Sequence, residues 1–302
     1  MSAASRLRVG VVGTGAMGKN HVRVLSSMPE VELAGIYDPN PEAAEAVGRE
    51  HGARVFGRLD DLAGEVEAVV LAVPTVAHAK IGCALLERGL HVLMEKPLAS
   101  SLAEADRLLE SAQRSGGKVL AVGHVEFFNP AVQALLARAG GAPRFLEVQR
   151  LGVFSPRSLD VDVVLDLMIH DLQILHALDP SPVAEVRATG IAVLSDRVDI
   201  ANARVELESG CVANLTASRV SSDRVRKLRA FLPSRYYSLD YPGQEIRGYR
   251  LDDAGGQRRI VPDDLPVERA EPLRRELEAF AAVCQGERAP WVDGAAGRQA
   301  LA

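Results

Sequence analysis

The residues best suited to acid–base chemistry lie in one segment, 162–178, that otherwise consists mostly of Val, Leu, Ile and Met. A helix of this composition should be buried on most sides. At about 100° per residue, five of its polar side chains fall in one sector of the helix: Asp162, Asp166, His170, Gln173 and His176. Asp171 lies on the opposite side. A carboxylate four residues before an imidazole orients the ring and prepares it as a general base. Asp166 and His170 are therefore candidates for proton removal from an alcohol, and the alternative is a histidine satisfied within the core.

A lysine follows a second apolar run. Residues 91–97 read His-Val-Leu-Met-Glu-Lys-Pro, which indicates a buried strand that ends on Glu95 and Lys96. In open α/β sheets, ligands bind at this carboxyl edge. The proline restricts Lys96 to an extended backbone, and its ammonium could stabilise a developing alkoxide. The alternative is a solvated Glu–Lys pair at the entrance of a loop.

A glycine-rich turn near the N-terminus predicts dinucleotide binding. It follows an apolar run and precedes a stretch with helical spacing. Its first glycine suits a tight turn, its second lets the backbone approach a pyrophosphate, and its third allows close packing of helix on strand. The free N–H groups of the helix then face the anion. The predicted cofactor-binding residues of this turn are Gly13, Thr14, Gly15, Ala16, Met17 and Gly18.

An acidic residue after the next predicted strand favours NAD over NADP. Asp38 follows Gly18 by 20 residues, the distance at which the dinucleotide fingerprint places its ribose-binding carboxylate. Such a carboxylate repels a 2′-phosphate, and Pro39-Asn40-Pro41 offers no arginine to neutralise one. The alternative is a glycine-containing turn in another kind of α/β protein. His78, near a predicted helix start, is a candidate to cap that helix or to line the cofactor crevice.

Other chemistries lack their motifs. His170 and His176 are six residues apart, and neither Cys-x-x-Cys nor His-Glu-x-x-His occurs, so we predict no metal site. No Gly-x-Ser-x-Gly elbow suggests hydrolysis. A net charge of −5 gives no general attraction to nucleic acid or to a membrane surface, and we expect neither partner. We expect a cytoplasmic location, because no signal peptide or membrane span is evident and the three cysteines are widely spaced.

The elements that must hold these residues form two predicted domains. In residues 1–126, short β-branched runs alternate with helical spacing, which predicts a Rossmann domain with a doubly wound parallel sheet. Its predicted strands are 8–12, 31–38, 68–74, 91–95 and 118–125. Residues 127–302 are predicted to form a substrate-binding and oligomerisation α+β domain, because alternation by two becomes common. Its open, mainly antiparallel sheet comprises 144–153, 183–194, 200–207, 211–218, 225–232 and 236–241, with helices at 162–178 and 271–285.

These motifs together resemble the Gfo/Idh/MocA family of oxidoreductases over nearly the whole chain. The turn at 13–18 resembles the family's nucleotide turn, Glu95-Lys96-Pro97 its E-K-P signature, and residues 166–171 its D-x-x-x-H-[DN] helix. The resemblance implies that Lys96, Asp166 and His170 form the catalytic set, and that homo-oligomers, dimers or tetramers, form through the exposed C-terminal sheet. It also implies a set of residues on the nicotinamide side and the cofactor edge: Ala72, Val73, Pro74, Glu95 and Lys96.

Within the family, residues 123–130 resemble a G-H-x-E-R-F-N-P variant, with Phe127 in place of the arginine. Together with Ser155-Pro-Arg and 160–171, they are similar to the branch of UDP-N-acetylglucosamine 3-dehydrogenases, which act in the synthesis of lipid A precursors. Many relatives have a glycine-rich entry to the catalytic helix, where this chain has Val161-Asp-Val. The resemblance implies NAD-dependent oxidation at C3 of a UDP-linked amino sugar. A free-polyol (inositol-type) dehydrogenase and a non-catalytic NAD-binding sensor are the alternatives. The candidate sugar or diphosphate contacts, with surface salt bridging as the alternative, are His124, Asn129, Arg150 and Arg157.

Overall fold

A computed structural model describes residues 6–154, 161–253, 257–289 and 291–302. The chain divides into two compact units. The first unit comprises Met1–Val125 together with Leu273–Ala302, and the second comprises Glu126–Pro272.

The first unit is built on the predicted parallel sheet, which the structure confirms. Its five strands lie in the order β2-β1-β3-β4-β5. They are β1 (Leu7–Val12), β2 (Val31–Tyr37), β3 (Ala68–Leu71), β4 (His91–Glu95) and β5 (Leu120–Gly123). Strands β3 and β5 are buried at every residue, as in a sheet covered on both faces. The sequence therefore shows them as unbroken apolar runs.

Helices connect these strands. They are α1 (Ala16–Leu25), α2 (Pro41–His51), α3 (Leu59–Ala63), α4 (His78–Glu87) and α5 (Leu102–Arg114). Side-chain caps fix where two of them begin, because a cap satisfies N–H groups that have no partner in the first helical turn. Asn40 accepts from the backbone N–H groups of Glu42 and Ala43, and Ser101 accepts from that of Glu104.

The second unit contains the predicted open sheet, with eight strands in the described part of the chain. Their order is β13-β12-β11-β10-β6-β9-β8-β7. All neighbours are antiparallel except β6 and β9. The strands are β6 (Phe145–Leu151), β7 (Val183–Ile191), β8 (Ile200–Leu207), β9 (Val212–Ser218), β10 (Val225–Leu232), β11 (Arg235–Asp240), β12 (Glu245–Asp252) and β13 (Arg259–Pro262).

The last two strands were not predicted. In β12 only Ile246 and Gly248 are buried, so the apolar alternation that marks a half-buried strand is too weak to read. Strand β13 has no buried residue at all.

Two helices, α6 (Pro130–Arg138) and α7 (Ile169–Leu178), pack in the core of this unit with the inward residues of the sheet. A π-helical turn, Val164–Met168, precedes α7, so the predicted helix 162–178 is α-helical only over its second part. Asp162 caps its start by accepting from the backbone N–H groups of Val164 and Leu165. Wide turns of this kind often occur at functional sites.

The last part of the chain returns to the first unit, through α8 (Pro272–Cys284) and α9 (Gly294–Leu301). Leu273, Leu277 and Phe280 share one apolar core with residues of the parallel sheet. Our prediction assigned 127–302 wholly to the second domain, and the structure differs from residue 273 onwards. The physical reason is that the apolar stripe of α8 completes the core of the first unit.

Among the described residues, no helix combines the length and the apolar character needed to cross a membrane.

Candidate active site

The glycine turn between β1 and α1 has room for a ligand at one of its three glycines. Gly13 has a φ of +91°, a backbone conformation that favours glycine. A Cβ at Gly18 would overlap the carbonyl oxygen of Gly13. The fold of the unit therefore already requires glycine at both positions. A Cβ at Gly15 would meet no atom within 4 Å. Ala16 and Met17 are also exposed, and no side chain caps the start of α1. The open backbone at Gly15 fits the close approach of a pyrophosphate.

The carboxylate of Asp38 is held beside this turn. Its Oδ2 accepts from the backbone N–H of Thr14 at 2.7 Å and from the Thr14 hydroxyl at 3.0 Å. Its Oδ1 accepts from the N–H of Asn40 at 2.9 Å. These bonds fix the half-buried carboxylate at the carboxyl end of β2, where the dinucleotide fingerprint requires a ribose-binding acid.

The residues after β3 lie at the same carboxyl edge. Ala72 and Val73 are half-buried and Pro74 is exposed. His78 is buried, with its two ring nitrogens 3.0 Å from the carbonyl oxygens of Pro97 and Val73. Burial lowers the pKa of His78, although both carbonyls favour its protonated form. His78 therefore joins the segments that follow β3 and β4, and its predicted role of lining the cofactor crevice stays a prediction.

Lys96 is half-buried at the end of β4, and its peptide bond to Pro97 is cis. His124 is fully buried, and this burial, together with the positive charge of Lys96, lowers the pKa of His124 to about 3. His124 is thus a neutral neighbour of the lysine charge. None of its surface is exposed in this structure, and its contact with a substrate stays a prediction.

Glu95 is buried within the first unit, and its predicted place at the cofactor edge stays a prediction. Its Oε1 lies 2.7 Å from Nε2 of His21, and both side chains are buried. The carboxyl of Glu276, on α8, is 1% exposed, and among the described residues neither of its oxygens has a hydrogen-bond partner. Burial and the negative charge of Glu95 raise the pKa of Glu276 well above its ordinary value. We call His21, Glu95 and Glu276 the glutamate cluster.

Sequence reasoning missed two members of the glutamate cluster. Glu276 interrupts the apolar stripe formed by Leu273, Leu277 and Phe280, which is a signal of a buried carboxyl. His21 lies next to Val22 on the buried side of α1. That both residues lie near Glu95 could not be read from the sequence.

In the second unit, the predicted acid–base residues lie on successive turns. His170 is buried in the first turn of α7, and Asp166 is half-buried in the π-helical turn before it. Asp171 is also buried but binds Arg150 of β6, as its predicted position on the opposite side of the helix allows. The joint action of Asp166 and His170 stays a prediction.

The remaining substrate candidates have structural partners or lie outside the described residues. Arg150 is 2% exposed and donates to Asp171 and Glu126. Asn129 is buried, caps α6 through the N–H of Ala131, and donates to the carbonyl of Tyr241. Both side chains therefore have structural partners within the second unit, and their contacts with a sugar or diphosphate stay predictions. Arg157 lies outside the described residues.

Known proteins resemble this chain along almost its full length. The chain is 38% identical over 298 residues to UDP-N-acetylglucosamine 3-dehydrogenase of Acidithiobacillus ferrooxidans, covering 98% of this chain and 94% of that protein. A solved structure of that enzyme superposes with a TM-score of 0.91 at 37% identity, covering 98% of this chain and 95% of the other. An inositol 2-dehydrogenase of Leifsonia xyli is 34% identical over 194 residues, covering 62% of this chain and 57% of that protein.

A family model described as the oxidoreductase family with an NAD-binding Rossmann fold matches residues 7–124. Those residues include the glycine turn, Asp38 and Lys96. The similarity to the Acidithiobacillus ferrooxidans enzyme extends through the second unit as well. The chain therefore belongs to the Gfo/Idh/MocA family of NAD-binding oxidoreductases.

Proposed function

We propose that the chain is an NAD-dependent sugar dehydrogenase that oxidises C3 of UDP-N-acetylglucosamine. The similarity to a UDP-N-acetylglucosamine 3-dehydrogenase over both units carries this proposal. A match restricted to the nucleotide-binding unit would have given only the cofactor. The product, a 3-keto sugar nucleotide, suits amination for amide-linked lipid A precursors.

In the proposed reaction, three side chains handle the hydroxyl group. His170 accepts its proton, Asp166 orients the imidazole, and Lys96 stabilises the developing alkoxide. The C3 hydrogen leaves as a hydride, which reduces NAD⁺ to NADH, while the carbinol becomes a ketone.

The test is to mix the purified protein with NAD⁺ and follow NADH absorbance with UDP-N-acetylglucosamine, free N-acetylglucosamine or myo-inositol. We expect turnover with the nucleotide sugar. Turnover with inositol alone would favour the second candidate, an inositol-type polyol dehydrogenase, which the similarity to the Leifsonia xyli enzyme supports.

The variant His170→Ala tests the base and the sensor alternative together. Turnover should be abolished while NAD⁺ affinity, measured by fluorescence titration, stays nearly unchanged. Full activity in this variant would refute His170 as the proton acceptor. Absence of turnover with any sugar or polyol, together with tight NAD⁺ binding by the wild type, would favour a non-catalytic sensor.

We further propose that two or more copies associate through the exposed face of the second sheet. Every residue of β7 is exposed, including Val186 at 56%. Glu185 lies opposite Glu206, and Arg187 opposite Arg204, so like charges face each other across β7 and β8. A second copy related by a two-fold axis could place each glutamate pair against an arginine pair. Light scattering should show a dimer or tetramer that Val186→Glu weakens; a monomeric wild type would contradict this.

A cytoplasmic location, and the absence of membrane and nucleic-acid partners, remain predictions.

A further inference from the structure

A buried ionic network surrounds the residue that follows His170. The Nε of Arg150 donates to Oδ2 of Asp171 at 2.8 Å, and its Nη2 donates to Oδ1 at 2.7 Å. The hydroxyl of Tyr241 donates to the same Oδ1 at 3.2 Å. The third guanidinium nitrogen, Nη1, donates to Oε1 of Glu126 at 2.7 Å. We call Arg150, Glu126, Asp171 and Tyr241 the arginine cluster.

The charges in the arginine cluster support one another. Burial lowers the pKa of the Arg150 guanidinium, but the carboxylates of Asp171 and Glu126 outweigh it and hold that pKa well above its ordinary value. Burial and the charge of Asp171 raise the pKa of Tyr241 well above its ordinary value, so its hydroxyl remains a donor. The guanidinium also lies 4.8 Å from the centre of the Tyr241 ring. The bidentate contact gives Asp171 one defined orientation.

Apolar packing alone does not fix the rotation of α7 about its axis. Ile169, Ile174, Leu175 and Leu178 are buried around the helix, so an apolar stripe does not single out one inward side. The π-helical turn before α7 adds a change of helical geometry at its start. Asp171, which follows His170 directly in the chain, is bonded to two other elements, β6 and the residue after β11.

We propose that Arg150 and Tyr241 are positioning residues that hold α7 through Asp171 and thereby set the direction of the His170 imidazole. The proposal rests on the proposed function, in which that imidazole accepts the hydroxyl proton. Neither residue touches the substrate in this account.

The test compares Arg150→Lys and Tyr241→Phe with a matched control, Arg226→Lys. Arg226 also donates to Oε1 of Glu126, at 3.2 Å, but within the described part of the chain it forms no hydrogen bond with Asp171, and its side chain is 47% exposed. A lysine at position 150 keeps the charge but loses the two-pronged contact, so kcat should fall between about tenfold and a hundredfold. Tyr241→Phe should lower kcat about two- to tenfold. In both variants the KM for NAD⁺ should stay at the wild-type value. The control Arg226→Lys should keep wild-type activity.

A primary isotope effect separates positioning from loss of folded enzyme. With substrate deuterated at the oxidised carbon, a misdirected base slows hydride transfer and raises the isotope effect, whereas a smaller folded fraction leaves it unchanged. If Arg150→Lys does not fold, Tyr241→Phe supplies the same comparison. Wild-type kcat and isotope effect in Tyr241→Phe would overturn the proposal.

A second readout does not depend on the substrate. The ring resonances of His170, assigned with His170→Gln, should shift in Arg150→Lys and Tyr241→Phe but not in Arg226→Lys. Unshifted resonances would refute the positioning role even if the sugar were wrongly identified. Full activity of His170→Ala with shifted resonances would instead refute the proposed base and leave the arginine cluster as a determinant of helix orientation.

Discussion

Two buried charged clusters, one in each unit, differ in how completely their polar atoms are bonded. In the arginine cluster, all three guanidinium nitrogens of Arg150 and both carboxylate oxygens of Asp171 have partners. In the glutamate cluster, both oxygens of Glu276 and Nδ1 of His21 lack a hydrogen-bond partner in the described part of the chain. Burial is similar, since Arg150 is 2% exposed and Glu276 is 1% exposed. Burial therefore does not reveal whether a charged group stabilises the fold.

The difference teaches what each cluster can do. A fully bonded network holds its members in one geometry, and removing one member leaves the others as uncompensated buried charges. A buried carboxyl without partners is best accommodated in its neutral form, because ionising it would require burying a second negative charge near Glu95. The arginine cluster should thus be sensitive to substitution, and the glutamate cluster should be sensitive to pH.

The largest effect should come from breaking the arginine cluster. Arg150→Met leaves Asp171 and Glu126 without their main partner and should lower the free energy of unfolding by about 3–5 kcal/mol. Urea denaturation measures this change. The half-exposed Arg226, as Arg226→Met, should cost at most about 1 kcal/mol. Equal losses in the two variants would remove the distinction drawn for Arg150.

An apolar substitution in the glutamate cluster should stabilise the protein, whereas one in the arginine cluster should destabilise it. Glu276→Leu removes two unsatisfied buried oxygens and should raise the free energy of unfolding at neutral pH by about 1–3 kcal/mol. Thermal and urea denaturation would both detect this gain. A marked loss of stability would mean that the Glu276 carboxyl has partners, such as bound water.

The pH dependence of stability should separate the clusters further. The folded-state pKa of Glu276 is raised, so its contribution is fully present below its ordinary value of 4.5 and is lost as pH rises towards the folded pKa. Over that window, the stability of Glu276→Gln relative to wild type should rise with a slope approaching about 1.4 kcal/mol per pH unit. His21 and Glu95 are the ionisable neighbours identified in the cluster, so His21→Asn serves as a control for a contribution of the imidazole. A pH-independent difference between Glu276→Gln and wild type would show that Glu276 does not titrate in this way.

The smallest effect on stability should come from a substitution of Tyr241 in the arginine cluster. Tyr241→Phe removes one donor to Asp171, which retains both bonds from Arg150, so the loss of unfolding free energy should be about 0.5–1.5 kcal/mol. Chemical denaturation can resolve this change. A loss as large as that of Arg150→Met would indicate that Tyr241, and not the guanidinium, dominates the network.

Local sequence patterns predicted the nucleotide-binding turn well. They could not predict contacts between residues that are far apart in the sequence. Gly13, Gly15 and Gly18 are recognisable because their spacing follows from the turn itself, and Asp38 ends the neighbouring strand. Strand alternation places Arg150 on the inward side with Leu146 and Val148, so its burial could have been predicted.

The partners of buried charged residues are harder to predict than their burial. Asp171 is 21 residues from Arg150, and its contact depends on how α7 packs against β6. Glu276 meets Glu95 only because the last part of the chain returns to the first unit. These relations depend on tertiary packing, which no local spacing encodes.

The return of residues 273–302 has a consequence for synthesis of the protein on the ribosome. Domains generally fold as units and in order of their emergence during translation. Here, the nucleotide-binding unit lacks α8 and α9 until residues 273–302 are made, while the second unit is already complete. A nascent chain paused after β5 would leave uncovered the apolar surface that Leu273, Leu277 and Phe280 later bury, and chaperones would find a binding surface there.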